Sequence, residues 1–193
     1  MKSWASYVLL EKLLNTAGRT DAAGSAAQQA RRAADTIVGA ADANGQLPSV
    51  LFEGHDAPII PAIEGLVFPH VAGCEAATAA DGPYAALIEV LSRHIDRAVQ
   101  PGVCLFDDGG WKLSSTSINS WLSKIYLCQY VYREVLGKPW DDTGRASDRA
   151  HVQWLQHERL SYWAWSDQMH AGKAQGSLYY PRGITAALWL TEG

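Results

Sequence analysis

Residues 109–133 read GGWKLSSTSINSWLSKIYLCQYVYR, a Gly/Ser/Thr-rich loop carrying Trp111 and Lys112 that runs directly into a segment apolar on nearly every side. Trp121, Leu122, Ile125, Tyr126, Leu127, Cys128, Val131, Val135 and Leu136 leave no room for a solvated stripe, so a helix built from them must be covered all round. Its expected start is near Asn119, with Ser117 or Asn119 as the cap. A polar loop opening onto a buried helix predicts a pocket mouth.

The other segments alternate in character around this one. Trp4, Tyr7, Val8, Leu9, Leu10, Leu13 and Leu14 predict a buried first helix, interrupted by Glu11 and Lys12 before it could serve as a signal segment or membrane span. Asp21 is placed to cap a second, Ala-rich helix carrying Arg31, Arg32 and Ile37, which Asn44-Gly45 ends. Residues 59–71 are apolar again, with Pro61 where a first turn tolerates it and Pro69 expected to kink or end the helix. Over 83–99, Tyr84, Leu87, Ile88, Leu91, Ile95 and Val99 form one stripe opposite Glu89, Arg93, Asp96 and Arg97, the pattern of a peripheral helix. An amphipathic stretch at 145–156 and a short apolar segment at 184–190 complete the order. Inner segments thus begin near Trp4, Ile60, Asn119 and Ile184, a repeat of about 60 residues suited to a helical hairpin plus a loop. The expected class is all-α, about three and a half hairpins, with β-like runs only at 49–52, 103–106 and 178–180, inside loops.

In such an array the long loops at 45–58, 100–118 and 158–183 emerge at one end, and long ordered loops on a rigid scaffold tend to be functional. The first carries Gln46, Phe52, Glu53, His55 and Asp56; the second Asp107, Asp108, Trp111, Lys112 and Ser115. The third carries Tyr162, Trp163, Trp165, Asp167, Gln168, Lys173, Tyr179, Tyr180 and Arg182. Aromatic rings beside carboxylates, amides and cations suit a sugar, whose apolar faces stack on rings while its hydroxyls need fixed donors and acceptors.

Each candidate has a plainer alternative. Glu53, His55 and Asp56 could bind hydroxyls, but loop carboxylates are often solvated or capping groups, and a metal would lack a third ligand. Asp107-Asp108-Gly109-Gly110 reads as a turn, not a calcium loop. Trp111 is a stacking platform or a ring packed under its loop, with Lys112 binding a hydroxyl or reaching to water. Trp163 and Trp165 share one face of an extended segment, and Asp167 with Gln168 must find partners if buried. Arg182 forks onto a barrel-wall carboxylate or onto substrate. His94, His151 and His157 read as surface residues, and Tyr126, Tyr130 and Tyr132 as wall packing.

Composition narrows the partners. The 193 residues are 48% hydrophobic, enough for one core, and the net charge of −4 is spread over interspersed acids and bases, so neither nucleic acid nor membrane is an expected partner. Cys74, Cys104 and Cys128 are odd in number and lack metal spacing, which fits reduced thiols in a cytoplasmic compartment. No cofactor and no metal is expected.

Three stretches carry a resemblance beyond composition: NGQLPSVLFEGHDAPIIPAIEGLVFP (44–69), PGVCLFDDGGWKLSSTSINSWLSKIYLCQYV (101–131) and YWAWSDQMHAGKAQGSLYYPRGITAALWL (162–190). They resemble the C-terminal part of the β-xylosidases of glycoside hydrolase family 52, and the likeness covers almost the whole chain. The resemblance implies an N-terminal β-sandwich, an (α/α)6 barrel and hydrolysis of β-xylosides with retention, through a carboxylate nucleophile and a separate acid/base. It further implies that both carboxyl groups lie upstream, leaving no catalytic residue in this chain. Residues 1–193 would then be a single all-α domain, the last half or so of a six-hairpin barrel. A chain that opens inside a buried-looking helix agrees with that expectation. The substrate-binding residues expected here are Glu53, His55, Asp56, Trp111, Lys112, Ser115, Trp165, Asp167, Gln168 and Arg182. Ile118 departs from the pattern, because the family's segment usually carries a polar or acidic residue there. The expected ligand is a xylooligosaccharide or other small glycoside. The apolar flanks of an open half-barrel should be covered by a missing N-terminal portion or by a homo-oligomer. The alternatives are a non-catalytic helical carbohydrate-binding or assembly module, and an independent enzyme using Glu53 or Asp167 as acid or base.

Overall fold

In a computed structural model, residues 1–156, 168–170 and 173–175 are described; side chains of the last two groups and of Leu155 are not. The chain is all-α: α1 (Lys2–Thr16), α2 (Thr20–Gly39), α3 (Val67–Val71), α4 (Ala85–Ala98), α5 (Leu122–Tyr130) and α6 (Asp142–Leu155). A 3-10 helix, Ile60–Leu66, runs into α3, and a π-helical turn, Val131–Val135, continues α5. Three short strands, β1 (Asn119–Trp121), β2 (Gln168–His170) and β3 (Lys173–Gln175), form a small antiparallel sheet in the order β1-β2-β3.

The first two helices form a hairpin, and α2 and the central 3-10 helix both contact α4. A link of only three residues joins α1 to α2, and the two pack against each other, Trp4, Ala5 and Val8 on one side and Ala23, Ala26, Ala27, Ala30, Ala34 and Ile37 on the other being buried. Alanine at those positions lets α2 approach closely while Arg31 and Arg32 stay outside. The Ile60–Leu66 helix occupies the centre, in contact with α1, α4 and α5, and its Ile60, Ile63 and Leu66 are fully buried. The stripe expected on α4 is buried throughout, Leu91 and Ile95 at 0% exposure. The segment expected at 184–190 and most of the third loop lie outside the described residues.

Several boundaries differ from the sequence reading, each for a local reason. The buried helix begins at Leu122, not Asn119: residues 119–121 pair with β2, and Ser117 Oγ accepts the Asn119 N–H in a local turn instead of capping a helix. Asp21 is not the cap of α2 but lies in its first turn, where a carboxylate favours the helix dipole. Pro69 does not end its helix; it sits in the first turn of α3, where a missing N–H matters least. The helix stops two residues later, where Gly73 takes φ +69° and Lys12 Nζ donates to the Ala72 and Gly73 carbonyls. The first helix was expected to be buried, yet Leu10 and Leu13 are 41% and 66% exposed.

His94 and His151, read as surface residues, are both completely buried; His157 lies outside the described residues. On the α4 face, apolar spacing alone could not reveal that an imidazole fills a core position between Leu91 and Ile95. Among the described residues no helix is long and apolar enough to cross a membrane.

Leu91 is enclosed by the central cluster, so Leu91→Ala should leave a cavity and lower the unfolding free energy by about 2–5 kcal/mol, measured by urea denaturation.

Candidate functional site

The first two long loops are joined by their backbones. The Ile60 N–H donates to Leu113 O at 3.0 Å and the Ser115 N–H to Pro58 O at 3.1 Å, with an antiparallel bridge between Ile59 and Ser114. The Leu113 N–H in turn donates to Asn119 O, and residues 119–121 pair with β2 in the third loop, opposing Asn119 to His170 and Trp121 to Gln168. A continuous run of backbone pairing thus links pieces of all three loops that the sequence marked as candidates.

Two buried imidazoles hold these loops to the helices behind them. His94 Nδ1 accepts the Leu47 N–H at 3.0 Å, so Nε2 carries the proton and donates to Ile59 O at 2.9 Å. Both ends of the first loop are therefore bound to one side chain of α4. His151 Nε2 accepts the Trp111 N–H at 2.9 Å, and its Nδ1 donates to Gln129 Oε1 at 3.2 Å. Gln129 Nε2 donates to Asp148 Oδ1, which also takes a 2.6 Å charged bond from Arg133, while Trp140 Nε1 donates to Asp148 Oδ2. Burial pushes both imidazoles toward the neutral form, His151 down to about 3 with the nearby Arg133 adding to the effect.

Trp111 is the clearest correction at the site. It is not a stacking platform: its ring is 4% exposed, meets Tyr132 edge-on at 5.8 Å and donates Nε1–H to Ser147 Oγ at 3.1 Å. Ser147 Oγ passes its own proton to Gly109 O at 2.7 Å. The residues 107–110 form the expected turn: Asp108 Oδ1 accepts the Gly110 N–H, Asp108 Oδ2 accepts Trp154 Nε1–H, and Gly109 takes φ +88°. Gly110 lies so close to Trp154 that a Cβ there would stand 2.2 Å from the indole.

The polar candidates face outward. Glu53, His55 and Asp56 are exposed, the backbone of His55 accepting the Ser49 N–H at 2.8 Å and that of Asp56 accepting Gln46 Nε2 at 2.9 Å. Lys112 is half-buried with its ammonium 5.4 Å from the Phe106 ring centre, and Ser115 is half-buried beside Pro58. Gln168 lies in β2, whereas Trp165, Asp167 and Arg182 lie outside the described residues. Ile118 is 52% exposed. Among the described residues no three His, Cys, Asp or Glu side chains come together as a metal site. Cys104 is buried and its thiol pushed up to about 11; Cys128 is buried and pushed up further. Neither is a nucleophile near neutrality.

Sequence reading missed the Glu64–Lys124 pair, at 2.8 Å with Glu64 only 14% exposed and Lys2 adding a second cation at 3.5 Å. The two partners are 60 residues apart on segments read as apolar, and nothing in either local pattern connects them.

No family model matches the chain. Over 192 residues, 100% of its length, the chain is 52% identical to a protein described as "Beta-xylosidase" from Geobacillus stearothermophilus, of which it spans 27%. The chain is thus a relative of one segment of a xylosidase.

His151 binds no proton in the fold until about pH 3 but binds one near 6.5 when unfolded, so the unfolded state holds more protons in that window. Stability should therefore be full above about pH 6.5 and fall as pH drops toward 3. Urea midpoints at pH 7, 5.5 and 4.5 should decline, and His151→Gln should lower the pH 7 value while making the decline shallower.

Proposed function

We propose that the chain supplies substrate-binding loops to a retaining β-xylosidase of glycoside hydrolase family 52, as the C-terminal part of its (α/α)6 barrel. The observation that carries the reading is the 52% identity to a β-xylosidase across the chain's full length. The α1–α2 hairpin and the backbone run linking three loops support it, since they give exposed polar side chains a rigid backing. On this reading residues 1–193 form one domain, and Glu53, His55, Asp56, Lys112 and Ser115, with Trp165, Asp167, Gln168 and Arg182, contact the sugar. The nucleophile and the acid/base carboxyl come from polypeptide outside this segment. Three free cysteines, two of them deeply buried, fit a cytoplasmic setting.

One observation favours a second reading, an assembly module without catalysis: Leu10 and Leu13 place apolar surface on the outside of α1. On this second reading that surface is the assembly interface, and the isolated chain self-associates through it.

Hydrolysis of p-nitrophenyl β-D-xyloside separates the readings. The purified chain alone should be inactive, and addition of the N-terminal portion of a full-length relative should restore turnover. Hydrolysis by the chain alone would overturn this division of labour and turn attention to Glu53 and Asp167, whereas failure of complementation would favour the assembly module.

A further inference from the structure

Phe52 is unfavourable on two counts at once. It is the one residue other than glycine with positive φ among those described, at +65°, a conformation that is a genuine outlier for a bulky side chain. Its ring is also 81% exposed, more than any other large apolar side chain among the described residues. Glycine or asparagine would serve this backbone position at lower cost.

The tip that carries Phe52 is well defined. Val50 and His55 form an antiparallel bridge, the Ser49 N–H donates to His55 O, and Gly54 supplies a second left-handed residue at φ +71°. Leu51 turns inward, lining a cavity of about 220 Å³ with Met1, Ile37 and Leu47. Phe52 turns outward, and among the described residues its ring meets no other ring and no cation. Strained backbone conformations held by the surrounding structure cluster at active sites and ligand clamps.

The neighbours indicate what that contact is. Glu53, His55 and Asp56 are exposed beside the ring in sequence, so an apolar face is offered next to a carboxylate pair and an imidazole. That combination matches a pyranose, which lays its C–H face on a ring and directs hydroxyls to acceptors and donors. Trp111, buried under its own loop, cannot provide such a face.

We infer that Phe52 is an aromatic platform against which a sugar ring of the xylo-oligosaccharide stacks, with the strain at its backbone presenting the ring to the ligand. The inference rests on the proposed function and adds a contact residue to it.

Titration of the 193-residue chain with xylobiose and xylotriose, followed by NMR, tests the contact. Phe52→Ala should weaken binding about three- to tenfold and Phe52→Tyr should retain it. Phe52→Gly should also weaken binding while leaving the melting temperature unchanged or higher, because it relieves the positive φ. Equal affinity in wild type and Phe52→Ala would overturn the inference alone, and so would a lower melting temperature in Phe52→Gly, which would make the ring part of the fold. Equal affinity together with loss of self-association in Phe52→Ala would reassign the ring to a protein interface. A wild-type chain that binds neither sugar would sink the substrate-loop reading and the platform with it.

Discussion

The neutral imidazole of His94 is the constraint on which the candidate site depends. One ring accepts from Leu47 and donates to Ile59, so a single side chain of α4 closes the loop between them. Closing a loop of that length costs chain entropy, and a buried ring that binds both ends offsets part of it without help from the loop's own side chains. The exposed side chains of the loop tip are thereby free of structural duty. Its residues can be polar, exposed or strained without loss to the core, which is the arrangement seen from Val50 to Asp56.

His151 solves the same problem for the second loop by a longer route. The bond to the Trp111 N–H is backed by Gln129, then Asp148, and Asp148 is shared by Arg133 and Trp140. Every donor in this series has a partner, as a buried polar network requires if it is to stabilise and not weaken the fold. Trp111 belongs to the same support through Ser147, so the largest ring in the loop is packed between α6 and the π-helical turn that follows α5. With both loops anchored from behind, the pairing of Pro58–Ile60 with Leu113–Ser115 needs only backbone atoms, and the side chains at 112 and 115 are spared for other contacts.

How much of this could be read from the residues depends on the range of the interaction. Helix periodicity is local, and the α4 stripe from Tyr84 to Val99 was legible to the residue because each member follows from 3.6-residue spacing. Of the segments read as inner, Ile60–Leu66 and α5 are buried, whereas α1 leaves Leu10 and Leu13 exposed. The turn at Asp107-Gly110 followed from its composition. What failed was tertiary. A histidine on an apolar face looks alike whether it is solvated or satisfied by a chain segment 47 residues away, as His94 is. Trp111 after two glycines looked available because its cover, Ser147 and Tyr132, comes from later in the chain. Phe52 was visible as a loop aromatic, but its outward, strained conformation was not, since positive φ in a non-glycine residue has no sequence mark.

The π-helical turn after α5 has an evolutionary reading. The Leu136 N–H reaches back five residues to Val131 O, so this stretch holds one residue more than an α-helix of the same path. Such a turn accommodates one extra residue without breaking the helix. Each helical residue contributes about 100° of rotation and 1.5 Å of rise, so removing one here would swing Lys138 and Trp140 away from Asp96 and Asp148. Homologues that lack the extra residue should therefore carry compensating changes at the start of α6, and an alignment gap at 131–135 would mark a lineage in which the support behind the second loop was rebuilt.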